Sequence, residues 1–303
     1  MPHISNAQDT MMASIEAMRI QEETGYKTED YMSQAQPEVR SIRGPQQQPV
    51  DTECRSQMSE WCFRVVDRCD FNRETVAIAM SYLDRFLATP SGSEALQDRK
   101  IFQLAAMTCL YTAIKIHESE AVDPQFVASL SRGAYTEDEV TTMELQIIIA
   151  IRWRMNPPTA MCFVQHYMRL MPDGAMTETE REVTIEVTKF QTELAVNAYE
   201  FVGVNASTVA FAALTNSLQC CEVKHSAEYG GLLTAISKVA NIKGDCDEMV
   251  YVQDKLYEAV QNASTGPSGS SLRPTTVFKT MESDVGRSSS SIHTSPRSVS
   301  AAI

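Results

Sequence analysis

Two charged residues stand out because each is set among apolar neighbours. Lys115 closes the run Thr112-Ala113-Ile114-Lys115, and Glu144 follows Met143 early in the helical text Val140–Ile151. An ammonium offers three hydrogen-bond donors and a carboxylate two acceptor oxygens. The chemistry open to them is an ion pair between the ends of two helices. Catalytic constellations are not written here. No Glu-x-x-His pair stands at positions suited to a di-metal site, and no glycine-rich phosphate loop occurs. His117 and His166 lack a partner pattern. Cys54, Cys62, Cys69, Cys109, Cys162, Cys220, Cys221 and Cys246 form no CxxC pair and have no histidine at ligand spacing. They read as reduced, small core residues, with no metal and no cofactor. An enzyme is therefore not expected.

Composition agrees. The chain has 303 residues, enough for about two domains. Apolar residues make up 43% of it, and the formal net charge is −13 with no long basic run. Direct nucleic-acid binding needs clustered Lys and Arg, so it is not expected. The apolar stretches fall short of the roughly 20 residues that span a bilayer, and the first residues lack the apolar core of a signal peptide. A soluble, intracellular protein of nucleus and/or cytoplasm is the expectation.

The elements that must position Lys115 and Glu144 are helices. Met58, Trp61, Cys62, Val65, Val66 and Cys69 recur at steps of three and four. Val76, Met80, Leu83 and Leu87 mark a second helix, and Ile101 through Ile116 a third. That third helix, about 98–117, carries Ala and Thr on both faces and reads as the buried centre of a bundle. A short helix follows near 124–130. Thr136-Glu137-Asp138-Glu139 is a capping box opening a fifth. After Asn156-Pro157-Pro158-Thr159, which breaks the pattern, five more helices are expected over 158–171, 178–201, 205–219, 227–241 and 245–262. The expected organisation is an N-terminal leader 1–50 with one short helix at most, a first five-helix repeat 51–157, a second 158–262, and a Ser-rich tail 263–303. That tail cannot bury enough to order itself. The fold class is all-α, two tandem five-helix repeats.

The order and spacing of Arg55, Trp61, the YLDRFL run at 82–87, the LAAMTCLYTAIK run at 104–115 and Met143-Glu144 resemble the cyclin family. The likeness is strong over about 50–157 and weaker beyond, as in D-type or otherwise diverged cell-cycle cyclins. It implies tandem cyclin boxes and a regulatory subunit that binds and activates a cyclin-dependent Ser/Thr protein kinase. Lys115 and Glu144 match residues that bond the kinase backbone around its regulatory helix, and mutual pairing would preorganise both. The likeness also implies a structural salt bridge between Arg55 and Asp84. It implies a docking patch for kinase substrates or inhibitors at Met58 and Trp61, weakened where Gln57 replaces an apolar residue. The alternative is a cyclin-fold adaptor or transcription-related scaffold without kinase activation, whose nucleic-acid form would need a basic face on the second repeat. Leu218-Gln219-Cys220-Cys221-Glu222 spells the LxCxE word that retinoblastoma-type pocket proteins bind. Ser295-Pro296 and Thr89-Pro90 are minimal proline-directed phosphorylation sites.

Overall fold

The computed structural model describes residues 3–34, 49–120, 122–172, 174–220, 227–242 and 246–265, and every regular element among them is helical. Ser295 and the Ser-rich tail beyond 265 lie outside the described residues, as do the last residues of the LxCxE word. Among the described residues no helix is long and apolar enough to cross a membrane. The chain divides into two compact units. The described part of one lies within 26–157 and 196–203, and that of the other within 1–25, 158–195 and 204–286.

The chain opens with α1 (His3–Thr24), which belongs to the unit containing residue 158 onward. The other unit starts with a strap holding α2 (Tyr31–Gln34), followed by α3 (Thr52–Cys69), α4 (Glu74–Leu87), α5 (Arg99–His117), α6 (Pro124–Leu130) and α7 (Glu137–Ala150). Side-chain caps start most of these helices. Asp51 accepts from Cys54 N, Asp98 from Lys100 N and Asp123 from Phe126 N, and Thr136 with Glu139 closes the capping box. α5 is buried at every position from Phe102 to Ile114. The small residues there let α3, α4, α6 and α7 approach it from all sides. Each large apolar side chain so enclosed contributes about 1.5–3 kcal/mol by leaving water.

The other unit packs α8 (Ala160–Arg169), α9 (Glu178–Asn197, to residue 195), α10 (Ala206–Cys220), α11 (Ala227–Ala240) and α12 (Asp247–Thr265) with α1. α10 is central and touches α8, α11 and α12. Its polar positions are satisfied internally: Gln191 Nε2 donates to Ser217 Oγ at 2.8 Å, and Asn216 Nδ2 to Gln191 Oε1 at 3.1 Å. The expected helix 178–201 stops at Asn197. Ala198 is extended, and a 3-10 turn, Tyr199–Phe201, follows. Leu218 of the LxCxE word is buried on α10, so that leucine is packed into the core rather than presented.

Residues 1–50 differ from the expected leader. The N-terminal helix is 22 residues long and packs on α8 and α11. Its Ile15 is buried, and so is Glu22. The Glu22 carboxylate accepts from Ser207 N at 3.0 Å and from the Ser207 hydroxyl, at the N-terminus of α10. There it meets free helical N–H groups and the positive end of the dipole. Burial nevertheless raises the Glu22 pKa, ahead of the lowering by Ser207. An acid whose folded pKa lies above its unfolded one stabilises the fold most below the unfolded value and loses that contribution as pH rises. Glu22→Gln is thus expected to gain stability relative to wild type as pH climbs from about 4.5 toward 7, with the difference vanishing at pH 4 in urea titrations. An unchanged difference across that range would count against it.

Candidate functional site

The unit built on α5 is braced from within by Arg55 and Asp84. Arg55 Nε donates to Asp84 Oδ1 at 2.8 Å and Nη2 to Oδ2 at 2.7 Å, a forked pair. Nη1 donates to the carbonyls of Val196 (2.9 Å) and Asn197 (3.3 Å), the last turn of a helix whose carbonyls lack partners. Burial disfavours the Arg55 charge, but Asp84 outweighs it and the guanidinium pKa is raised. The strap closes the cluster. Tyr31 donates to Asp84 Oδ1 at 2.8 Å, Tyr199 donates to Asp30 at 2.7 Å, and the Tyr31 and Tyr199 rings meet edge-on at 5.3 Å. This assembly is structural, since Arg55, Asp84 and Tyr31 at its centre are all buried.

The second pair faces outward. Lys115 Nζ, at the end of α5, stands 3.3 and 3.2 Å from the two carboxylate oxygens of Glu144 on α7. Thr112 Oγ1, whose hydroxyl donates to Thr108 O at 2.9 Å, lies 3.3 Å from the same carboxylate, and Nζ sits 5.5 Å from the centre of the Tyr111 ring. The Glu144 side chain is 11% exposed and that of Lys115 is 49% exposed. Desolvation lowers the Lys115 pKa, yet the Glu144 bonds outweigh it and the net shift is upward, so the ammonium persists. A lysine with three donors and half its side chain in water keeps hydrogen-bonding capacity for another molecule.

Next to this pair lies an apolar surface that the sequence reading did not single out. On α7 the residues Val140, Met143 and Ile147 point into the core. Leu145 and Ile149, one turn apart, are 55% and 57% exposed. Trp153, just past the helix end, is 69% exposed, and Ile116 beside Lys115 is 44% exposed. The signal was in the text: from Leu145 onward α7 carries apolar residues on both faces, and a surface helix needs only one. The chain leaves α7 through two left-handed residues, Arg152 (φ 57°) and Trp153 (φ 59°). A left-handed conformation costs a non-glycine residue roughly 1–2 kcal/mol.

The docking patch does not take shape as the likeness implied. Met58 and Trp61 are both buried in the core, and Gln57 Nε2 donates to Glu53 Oε1 at 2.9 Å on its own helix. Met58 and Trp61 face inward because, with Cys62 and Val65, they form the apolar stripe of α3. Thr89 donates its hydroxyl to Phe86 O at 2.6 Å, capping the end of α4. Among the described residues no cluster of three or more His, Cys, Asp or Glu could hold a metal ion.

The family model for the cyclin N-terminal domain matches residues 13–156, which span all of α3 to α7 with both charged pairs. The chain carries a cyclin N-terminal domain. Cyclin-A1-4 of Oryza sativa subsp. japonica is 29% identical to this cyclin over 41% of the chain and 33% of its own length. This chain spans about a third of the length of such A- and B-type relatives. G1/S-specific cyclin-D1 of Canis lupus familiaris is 23% identical, over 73% of this cyclin and 72% of its own length. The X-ray structure of a viral cyclin from herpesvirus saimiri superposes with a TM-score of 0.56 at 15% identity, covering 71% of this cyclin and 88% of the viral chain. That likeness is one of fold.

Proposed function

We propose that this cyclin is a regulatory subunit that binds and activates a cyclin-dependent Ser/Thr protein kinase in cell-cycle control, without catalysis of its own. The observation that carries the reading is the exposed apolar surface of Leu145 and Ile149 on α7, with Trp153 just past its end, which follows Glu144 of the Lys115–Glu144 pair along the chain. An apolar stripe on a rigid helix fits the apolar face of a partner helix, and the charged pair can bond backbone groups at its end. A protein kinase becomes competent when the glutamate of its regulatory helix reaches the lysine that holds ATP. A surface that binds only that helix position moves the population to the active state. Relatives of this cyclin carry G1/S-specific names, which supports a cell-cycle role.

The pair is tested by titrating a purified cyclin-dependent kinase with wild type, Lys115→Ala and Glu144→Ala. Each variant is expected to bind at least about tenfold more weakly, the scale of one charge-assisted bond, with unchanged helical circular dichroism. Wild-type affinity for both would place the interface elsewhere.

A further inference from the structure

Arg85 is the other arginine of the YLDRFL run, and its surroundings are unlike those of Arg55. It is buried, and among the described residues no carboxylate forms an ion pair with it. Its Nη2 donates to the carbonyl of Arg154 at 2.8 Å and its Nε to that of Ser81 at 3.2 Å. The guanidinium lies over two rings, 4.9 Å from the centre of Tyr26 and 5.7 Å from that of Tyr82. Taking a cation out of water without a counter-charge is costly. Two carbonyls and two ring faces take the place of the counter-charge here.

What that arrangement holds is the exit from α7. Arg154 directly follows the left-handed residues Arg152 and Trp153. Their own amides return to the helix, Arg152 N to Ile149 O and Trp153 N to Ile148 O, both at 3.0 Å. On the far side the Met155 carbonyl is held by the Tyr82 hydroxyl and lies 3.1 Å from His117 Nε2. The backbone at Trp153 is therefore held before and after, and its side chain is exposed.

We propose that Arg85 is a positioning residue for the kinase-binding surface: through the Arg154 carbonyl it fixes the left-handed turn that presents Trp153. Tyr26 of the N-terminal strap is the second wall of its seat, so the strap contributes to binding without touching the partner. This rests on the reading of the α7 face as the kinase-binding surface. Lysine keeps the charge but has no planar fork and cannot lie flat on two rings, so it substitutes only in part.

The test is a double-mutant cycle on the full chain, read as affinity for a purified cyclin-dependent kinase. Arg85→Gln is expected to weaken binding about tenfold, and Arg85→Lys about threefold, a coupling of ordinary size for contacting residues. In the Trp153→Ala background neither change should alter affinity by more than about twofold. Acrylamide quenching reads the indole directly. Arg85→Gln should change the quenching of Trp153 while leaving that of buried Trp61 and the helical circular dichroism as they were. If Arg85→Gln does not fold, Arg85→Lys and Tyr26→Ala carry the same cycle. Equal losses in both backgrounds, or no loss in either, would overturn the positioning role while leaving the α7 surface intact. Wild-type affinity for Trp153→Ala alone would remove that surface, and the positioning role with it.

Discussion

Arg55→Ala is expected to lower folding stability by about 3–5 kcal/mol, the usual cost of breaking a buried ion pair from one side. Removing the guanidinium leaves the Asp84 carboxylate inside the unit with only the Tyr31 hydroxyl, 2.8 Å away, to solvate it. It also strips the Val196 and Asn197 carbonyls of their donor. Against a total stability of about 5–15 kcal/mol, that loss brings the fold close to collapse at physiological temperature. Swapping both partners for apolar residues can be neutral where the pair is isolated. This pair is not isolated, so Arg55→Met with Asp84→Leu should recover only part of the loss, because Tyr31 and the two carbonyls remain unpaired. Urea unfolding followed by circular dichroism measures both variants. A single-variant loss below about 1 kcal/mol, the value of a surface pair, would contradict the buried bracing.

Trp153→Ala carries the largest expected effect on binding. Tryptophan is the commonest hot-spot residue, and truncating one that fills a partner's pocket costs about 2–4 kcal/mol, or roughly 30- to 1000-fold in affinity. The same change should leave stability within about 0.5 kcal/mol, since an exposed side chain supports little of the fold. Glycine sharpens the contrast. At φ 59° it relieves left-handed strain, so Trp153→Gly should be slightly more stable than wild type and equally defective in binding. Calorimetric titration with a cyclin-dependent kinase, alongside thermal melts, separates the two properties. If affinity and stability fell together, Trp153 would be part of the core rather than part of a binding face.

Most of the helices were legible because local periodicity and capping encode them, and the Arg55–Asp84 pair was legible only through the family likeness. α5 was readable from its Ala and Thr content on every face, and α7 from the Thr136–Glu139 box. Lys115 and Glu144 stood out as charges amid apolar text, and the structure places them in contact. What escaped was long-range. The helix His3–Thr24 has a narrow apolar stripe, and its buried anchor, Glu22, is bonded to Ser207 far along the chain. The strap is held by Tyr31 on Asp84 and by Asp30 on Tyr199, contacts that no periodicity announces. Trp61 is core because α3 buries that face, whereas the family likeness drew attention to it as a surface. The turn at Arg152 and Trp153 was invisible because neither residue is a glycine and nothing local demands a left-handed backbone. Its amides bond back to Ile149 O and Ile148 O, and contacts from Arg85, Tyr82 and His117 hold the carbonyls that follow.

One assay bears on the kinase-activating role more directly than any other. A purified cyclin-dependent kinase is mixed with increasing amounts of this cyclin, and phosphorylation of a histone-type substrate is followed. The expected result is a saturable rise from a low basal rate, lost when Trp153→Ala replaces wild type at the same concentration. A kinase that binds the wild-type chain at saturation yet stays at its basal rate would show an adaptor rather than an activator, and would contradict the proposed function.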